Sequence, residues 1–374
     1  MVGNPDSSLH EVSSDPSRTF ISICARMMAT AAFLLTACTR APIDSIPTLR
    51  ASPSAEFELD IPTFEEIRDL EWVADSTFVV VAGDGAKIAV VSAGQPTVFV
   101  GRKGSGPGEF RNITSILAWG PSSFVAVDSE NRRLLFWNIR GRLLAERDLS
   151  DYRLSYGPFR TTAGVVLKVF PSGTKVARLM VIRGSGEQPR VQLDSGGGIG
   201  LSCMLCNTSI GPDGSMAFAE DPREYRVQRL DAHGRPIAPI VLEHFALVSR
   251  SQYEIDSVKA FRGAQYPRMR ASGLSDAGIR DLLATAPIAT EKGMFVPAGI
   301  HHDDSGDLWL QRSVARGAPS EADVFSPEGV QRGTVLLPPG FTLSRLRGQY
   351  ILGQQATEEG GTSIVILAKP SFPH

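Results

Sequence analysis

The chain carries almost no net charge. Lys and Arg number 38 and Asp and Glu 40 in 374 residues, which leaves a formal charge of -2. With that balance, and no basic stripe interleaved with aromatics, a nucleic-acid polyanion finds no electrostatic footprint. Long apolar runs are missing too. The strongest, Met27 to Ala37, is far too short to span a bilayer as a mature helix. There are 4 cysteines, in two groups: Cys24 and Cys38 near the start, Cys203 and Cys206 in the body. No Gly-x-Ser-x-Gly elbow is present, and no nucleophile–histidine constellation is legible.

Glycine (36) and proline (25) are plentiful, as many short strands and turns require. A phrase recurs at intervals of roughly 42 to 50 residues: a β-rich run, a turn, a second run and a glycine. Phe78-Val79-Val80-Val81 is followed by Lys87 to Val91 and Gly94, and Phe124 to Asp128 by Arg133 to Trp137 and Gly141. Weaker copies begin at Val165, Met216, Leu308 and Tyr350. Several strands per unit at this period signal an all-β fold, a six-bladed β-propeller spanning 56–374. The interval between the fourth and fifth copies is about twice the others. Within it, Ser251-Gln252-Tyr253-Glu254 matches a capping box, and Ile255, Val258 and Phe261 follow at helical spacing. Leu274-Ser275-Asp276 opens a second such run with Ile279, Leu282 and Leu283. The expectation is a mostly helical insertion over 247–290, between blades four and five.

Leu35-Thr36-Ala37-Cys38 closes the N-terminal apolar run, after Arg18 and Arg26, and resembles a bacterial lipobox. The resemblance implies a signal peptide over 1–38, lipidation of Cys38, and an exported, membrane-anchored protein of the cell envelope. Residues 39–55, with Pro42, Pro47 and Pro53, suit a flexible tether. The alternating Phe57-Glu58-Leu59-Asp60-Ile61 is expected to complete the last blade, since an open ring would leave unpaired edges.

Gly101-Arg102-Lys103-Gly104-Ser105-Gly106-Pro107-Gly108-Glu109-Phe110, then Val125-Ala126-Val127-Asp128 and Asn131-Arg132-Arg133-Leu134, resembles the NHL-type repeat of six-bladed propellers. The match covers 101–144 and is weak elsewhere. Together with the helical segment and Leu337-Pro338-Pro339-Gly340, it is similar to bacterial lipoprotein-like propellers. The resemblance implies a fold and an extracytoplasmic place, and it names no reaction. Pro107 removes a donor, and no helix opens at Phe110. The glycine-rich loop is therefore expected to be an inter-blade connection needing positive φ and not a phosphate cradle.

Cys203-Met204-Leu205-Cys206 has redox-motif spacing without the βαβ context that such a site needs. A local disulfide is the expectation, with free thiols or a metal or redox site as alternatives. His301-His302-Asp303-Asp304 is the densest group of potential ligands, just before the Leu308-Trp309-Leu310 strand. His301 and Asp303 are the ligand-binding candidates, placed at an exposed rim of the channel. Glu71, Asp128, Asn131 and Asp303 are of the type that holds calcium in related ester- or lactone-hydrolysing propellers. No cofactor is expected, with calcium as the one candidate. No catalytic residue is assigned. The leading reading is a binding or scaffold module for a protein, peptide or glycan ligand. The alternative is a calcium-dependent hydrolase or an NHL-type lyase using the central channel. The targeting expectation is tested by metabolic labelling with a fatty acid. The native chain takes up label and Cys38→Ala does not; equal labelling of both contradicts it.

Overall fold

A computed structural model describes residues 46–54, 64, 66–74, 76–83, 85, 87–92, 94–154, 159–161, 164–171, 178–183, 190–193, 207–271, 274–285, 288–357 and 361–372. The signal segment with Cys38, and the Cys203–Cys206 pair, lie outside these residues. Pro47–His374 forms a single compact unit.

That unit is an all-β propeller. Among the described residues, six sheets of four or five strands follow one another along the chain, each built around an antiparallel run of neighbouring strands, with a two-stranded parallel pair, Arg102–Lys103 and Glu109–Phe110, between the first and second. The first starts at Ile67–Ala74, the second at Ile113–Gly120, the fourth at Thr208–Ile210, the fifth at Phe295–His302 and the sixth at Phe341–Arg347. The third is irregular. Two short strands, Tyr152–Leu154 and Phe159–Thr161, share its first position and both pair with Gly164–Pro171. The structure thus resolves five regular blades and not the expected six, because one continuous first strand is broken in the third sheet.

The sheets stand with both faces covered, and this explains the apolar runs. In Thr77–Ala82 every residue is buried, as in Ser123–Asp128. A strand buried on both faces reads as a continuous apolar run, not as an alternation. Successive side chains still point to opposite faces. Phe78 and Val80 pack with Leu352, Ile364 and Ile366 of the sixth sheet. Val79 and Val81 pack with Phe124 and Ala126 of the second. Val125 and Val127 turn the other way, toward Val165 and Leu167 of the third. Three further layers join third to fourth, fourth to fifth and fifth to sixth.

The N-terminal residues of the unit complete the last two sheets. Ser52–Pro53 pairs antiparallel with Ala368 and Leu367, and Thr48–Arg50 pairs parallel with Thr334, Val335 and Leu336. The closing strand therefore precedes the expected Phe57 to Ile61, which lies outside the described residues. The stretch 48–53 is strand and not the flexible tether expected over 39–55. Strand pairing wins there because both outer strands, Thr362–Ala368 and Gln331–Pro339, offer unpaired backbone groups.

Among the described residues, helices lie only between the fourth and fifth sheets: Gln252–Ala264 (α1), Tyr266–Ala271 (α2) and Asp276–Thr285 (α3). The capping box forms at α1, with Ser251 Oγ accepting from the Glu254 N–H and the Glu254 carboxylate accepting from the Ser251 N–H. No residue of α1 is buried.

The glycine-rich loop joins the first and second sheets. Gly101 and Gly108 have φ of 69° and 68°, conformations that disfavour a side chain. The loop's donors are taken internally. Gly106 N–H donates to Glu109 Oε2 (2.7 Å) and Gly108 N–H to Glu146 Oε1 (2.7 Å). Hydrogen bonding from Gly106 and then Arg102 holds the Glu109 pKa below its ordinary value. Arg133 ties the joint together, donating to Glu109 O (2.5 Å), Gly106 O (3.1 Å) and Glu146 Oε2 (3.0 Å), and pairing with Asp128 Oδ2 at 3.4 Å. Asn131 Nδ2 donates to the same Asp128 oxygen (2.7 Å) and to Gly104 O (3.0 Å). Asp128 is fully buried, and its other oxygen accepts from the Arg111, Asn112 and Asn131 N–H groups. Asp128→Ala strands several of these donors. It is expected to lower unfolding stability by about 3 kcal/mol in chemical denaturation. Arg102→Ala, which removes an exposed ion pair, should cost under about 1 kcal/mol.

Candidate functional site

The inner strands surround a cavity of about 1850 Å³, lined from all six sheets. Neighbouring inner strands touch along the wall: Ile67–Ala74 meets Ile113–Gly120 on one side and Phe341–Arg347 on the other. Phe341–Arg347 meets Phe295–His302, which in turn meets Thr208–Ile210. A polar side chain on these strands either finds a partner across a sheet boundary or faces the cavity.

Arg345 does both. Its Nε donates to Glu71 Oε2 (2.8 Å), and its Nη2 donates to Asp69 Oδ1 and Oδ2 (3.1 and 3.2 Å) and to Ile116 O (3.0 Å). Its Nη1 donates to Ser344 O (2.8 Å). One guanidinium thus bridges the sixth, first and second sheets. Asp69 extends the link by accepting from the Ile116 N–H (2.8 Å). Burial works against the charge on Arg345, but Asp69 and then Glu71 outweigh it and hold its pKa above the ordinary value. Its side chain keeps 25% exposure although protein surrounds it, because its open side is the cavity.

His301 lies on the same wall, in the neighbouring inner strand. Its Nε2 is buried and has no hydrogen-bond partner. Burial, then the charge of Arg345, lowers its pKa to about 3, against weaker hydrogen bonding of the ring to the backbone of Ala298 and Leu343. His302 points to the opposite face, where Nδ1 lies 2.9 Å from Ser209 Oγ. Burial lowers its pKa to about 4, against the pull of Asp213. Both imidazoles are neutral at pH 7.

Asp303 is placed differently. It is 3% exposed. Oδ1 accepts from the Ser305 and Asp307 N–H groups (both 2.9 Å) and from the Ser305 hydroxyl (2.6 Å). Oδ2 accepts from Lys369 Nζ (2.7 Å) and Trp309 Nε1 (3.3 Å). Asp303 therefore fixes a turn and ties it to the C-terminal segment, so its own carboxylate is not exposed as the sequence suggests, although Asp304 beside it is exposed and the segment lines the cavity. The four expected oxygen ligands do not meet. Glu71 is held by Arg345, Asp128 and Asn131 sit in the joint between the first two sheets, and Asp303 sits in its turn. Among the described residues no three His, Cys, Asp or Glu side chains form a metal-binding group.

Sequence reading missed Asp69 and Arg345. The available signal was charge inside strands. Asp69-Leu70-Glu71 places two carboxylates on one face at a period of two, and Arg345 interrupts Leu343 to Leu346. Only the ring topology brings residues so far apart in the chain together.

The two histidines set a pH dependence. Their folded pKa values, about 3 and about 4, lie below the ordinary 6.5, so the unfolded chain binds more protons between these values. Their contribution to stability is complete above pH 6.5 and is lost as pH falls toward about 4 for His302 and about 3 for His301. The slope approaches about 1.4 kcal/mol per pH unit for each histidine. Urea unfolding at pH 7 and pH 5 should show this loss, and the double substitution of His301 and His302 by Asn should flatten it.

The chain matches no protein-family model and no curated protein. Among solved structures it is similar to the calcium-binding protein regucalcin from Agrobacterium tumefaciens, with 12% identity over 87% of this chain and 97% of that one and a TM-score of 0.45. A member of the duf4221 family from Bacteroides vulgatus gives 9% identity, 86% and 96% coverage and a TM-score of 0.46. Virginiamycin B lyase from Staphylococcus aureus gives 12% identity, 86% and 99% coverage and a TM-score of 0.39. At these identities and scores the likeness carries no statement about activity.

Proposed function

We propose that this protein is a lipid-anchored, extracytoplasmic binding module that receives a peptide or glycan segment in its central channel. The irregular third sheet counts in this reading as the sixth blade, NHL-like in its first joint, and the three helices as an insertion beside one mouth. The observation that carries the proposal is the cavity itself: about 1850 Å³, walled by six inner strands and lined by polar side chains that include Thr114, Ser209 and His301. A concave site with a few convergent polar groups is the usual form of a ligand pocket. A neutral imidazole suits hydrogen bonding to an uncharged amide or hydroxyl. The hydrolase alternative is less well supported, because the two carboxylates that do converge, Asp69 and Glu71, already hold a cation in Arg345. Their charge is spent on the protein's own guanidinium.

The test is a peptide and glycan array read with the native chain and with Thr114→Trp, which places a large side chain on the cavity wall. The native chain should retain a defined set of spots, and the variant should lose them at least tenfold while melting as a folded protein. Spots retained equally by both, or calcium-dependent hydrolysis of an ester or lactone panel, would contradict the reading.

A further inference from the structure

Several cavity-lining cations are neutralised by acidic side chains, and Arg250 is not paired with one among the described residues. Lys292 is paired with Glu254 at 2.5 Å and donates to Val314 O at 2.7 Å. Arg312 pairs with Glu321 and with Asp323 Oδ2 (2.9 Å). Arg345 is held by Asp69 and Glu71. Arg250 is half-buried, and its Nε is cut off from water without a hydrogen-bond partner. No ion pair or side-chain hydrogen bond to Arg250 is formed by any described residue. Glu220, exposed on a neighbouring loop that also lines the cavity, does not reach it.

A guanidinium Nε withdrawn from water without a hydrogen-bond partner is unfavourable. The local backbone nonetheless fixes its position. The Arg250 N–H donates to Thr290 O (2.7 Å), and the Lys292 N–H donates to Val248 O (2.8 Å). Ser251, the next residue, caps α1. A second guanidinium belongs to the same cavity lining. Arg316 stacks on the Tyr253 ring, its Cζ 3.6 Å from the ring centroid, and it too lines the cavity without an acidic partner among the described residues. Stacking occupies the face of that group and leaves its edge donors free. The acidic residue nearest in sequence, Glu254, is already engaged by Lys292 and by the capping box.

We infer that Arg250, supported by Arg316, is an oxyanion-binding site at the helix-flanked side of the cavity, taking a carboxylate or phosphate group of the ligand. The planar fork of a guanidinium matches such groups with two parallel hydrogen bonds. The inference rests on the channel-binding reading above and adds the chemistry of one end of the ligand: it is anionic there, and neutral where it meets His301.

The test uses inorganic phosphate and glutarate as separate probes, at ionic strength held constant with chloride. Calorimetric titration of the native protein should give saturable binding of at least one of them, which identifies the preferred oxyanion. Arg250→Gln should weaken that binding at least tenfold, and Arg316→Gln by a smaller factor. Without a probe, Arg250→Gln should melt at the same temperature as the native chain or higher, because an uncompensated charge has been removed. Absence of binding by either probe, equal binding by native and Arg250→Gln, or a lower melting temperature for Arg250→Gln would overturn the inference. On the arrays the two readings fail differently. Spots lost in Thr114→Trp and untouched by Arg250→Gln sink the oxyanion site alone.

Discussion

Ring closure is the constraint on which the rest of the structure depends, and the contact that marks it is Arg345 against Asp69 and Glu71. A propeller's sheets are stable only when both faces are covered, so the sixth sheet must find the first. Apolar packing does most of this, through Phe78, Val80, Leu352 and Ile366. Apolar packing is tolerant of register, however, and a buried arginine between two carboxylates is not. The guanidinium reaches the first sheet through two side chains and the second through Ile116 O, so it specifies how three inner strands align. Buried ion pairs of this kind are weak evidence for net stability and better understood as devices that fix one arrangement.

The same contact shapes what the channel offers a ligand. Asp69 and Glu71 are neutralised in large part from within, and the low pKa values of His301 and His302 remove two further charges from the wall. The deep channel is therefore polar but sparing in free charge. Among the described residues, buried polar atoms without a hydrogen-bond partner on the cavity wall include Ser115 Oγ in the second sheet, His301 Nε2 in the fifth, and Arg250 Nε beside α1. Natural proteins satisfy nearly all buried polar groups, so the exceptions are where a partner from outside is expected.

Much of the fold was legible in the sequence. The runs at Phe78 to Val81 and Phe124 to Asp128 announce strands covered on both faces, and Ser251 to Glu254 announces the start of α1, because these signals are local. The Gly101–Phe110 loop and its partners Asp128, Asn131 and Arg133 were legible as a unit for the same reason, since they lie within about one repeat. The broken first strand of the third sheet was not. Val165 to Val169 reads as a strong strand, and nothing in Tyr152 to Thr161 shows that two pieces share its neighbour. The site was legible only in fragments. His301 stood out for its neighbours, Glu71 for its chemistry. Asp303 stood out for the same cluster, yet it serves a turn, because a carboxylate followed by Ser305 and Asp307 captures its own backbone N–H groups. Asp69 and Arg345 are separated by nearly the whole chain, and no periodicity links them.

A double-mutant cycle measures the central contact directly. Arg345→Met, Asp69→Asn with Glu71→Gln, and the combination of all three are compared by urea unfolding at pH 7. The account predicts that either change alone is strongly destabilising, since each leaves a buried charge unpaired. The combination should then recover part of the loss, with a coupling energy of about 1–3 kcal/mol. Losses that simply add, with coupling near zero, would show that Arg345 and the two carboxylates do not hold the ring together.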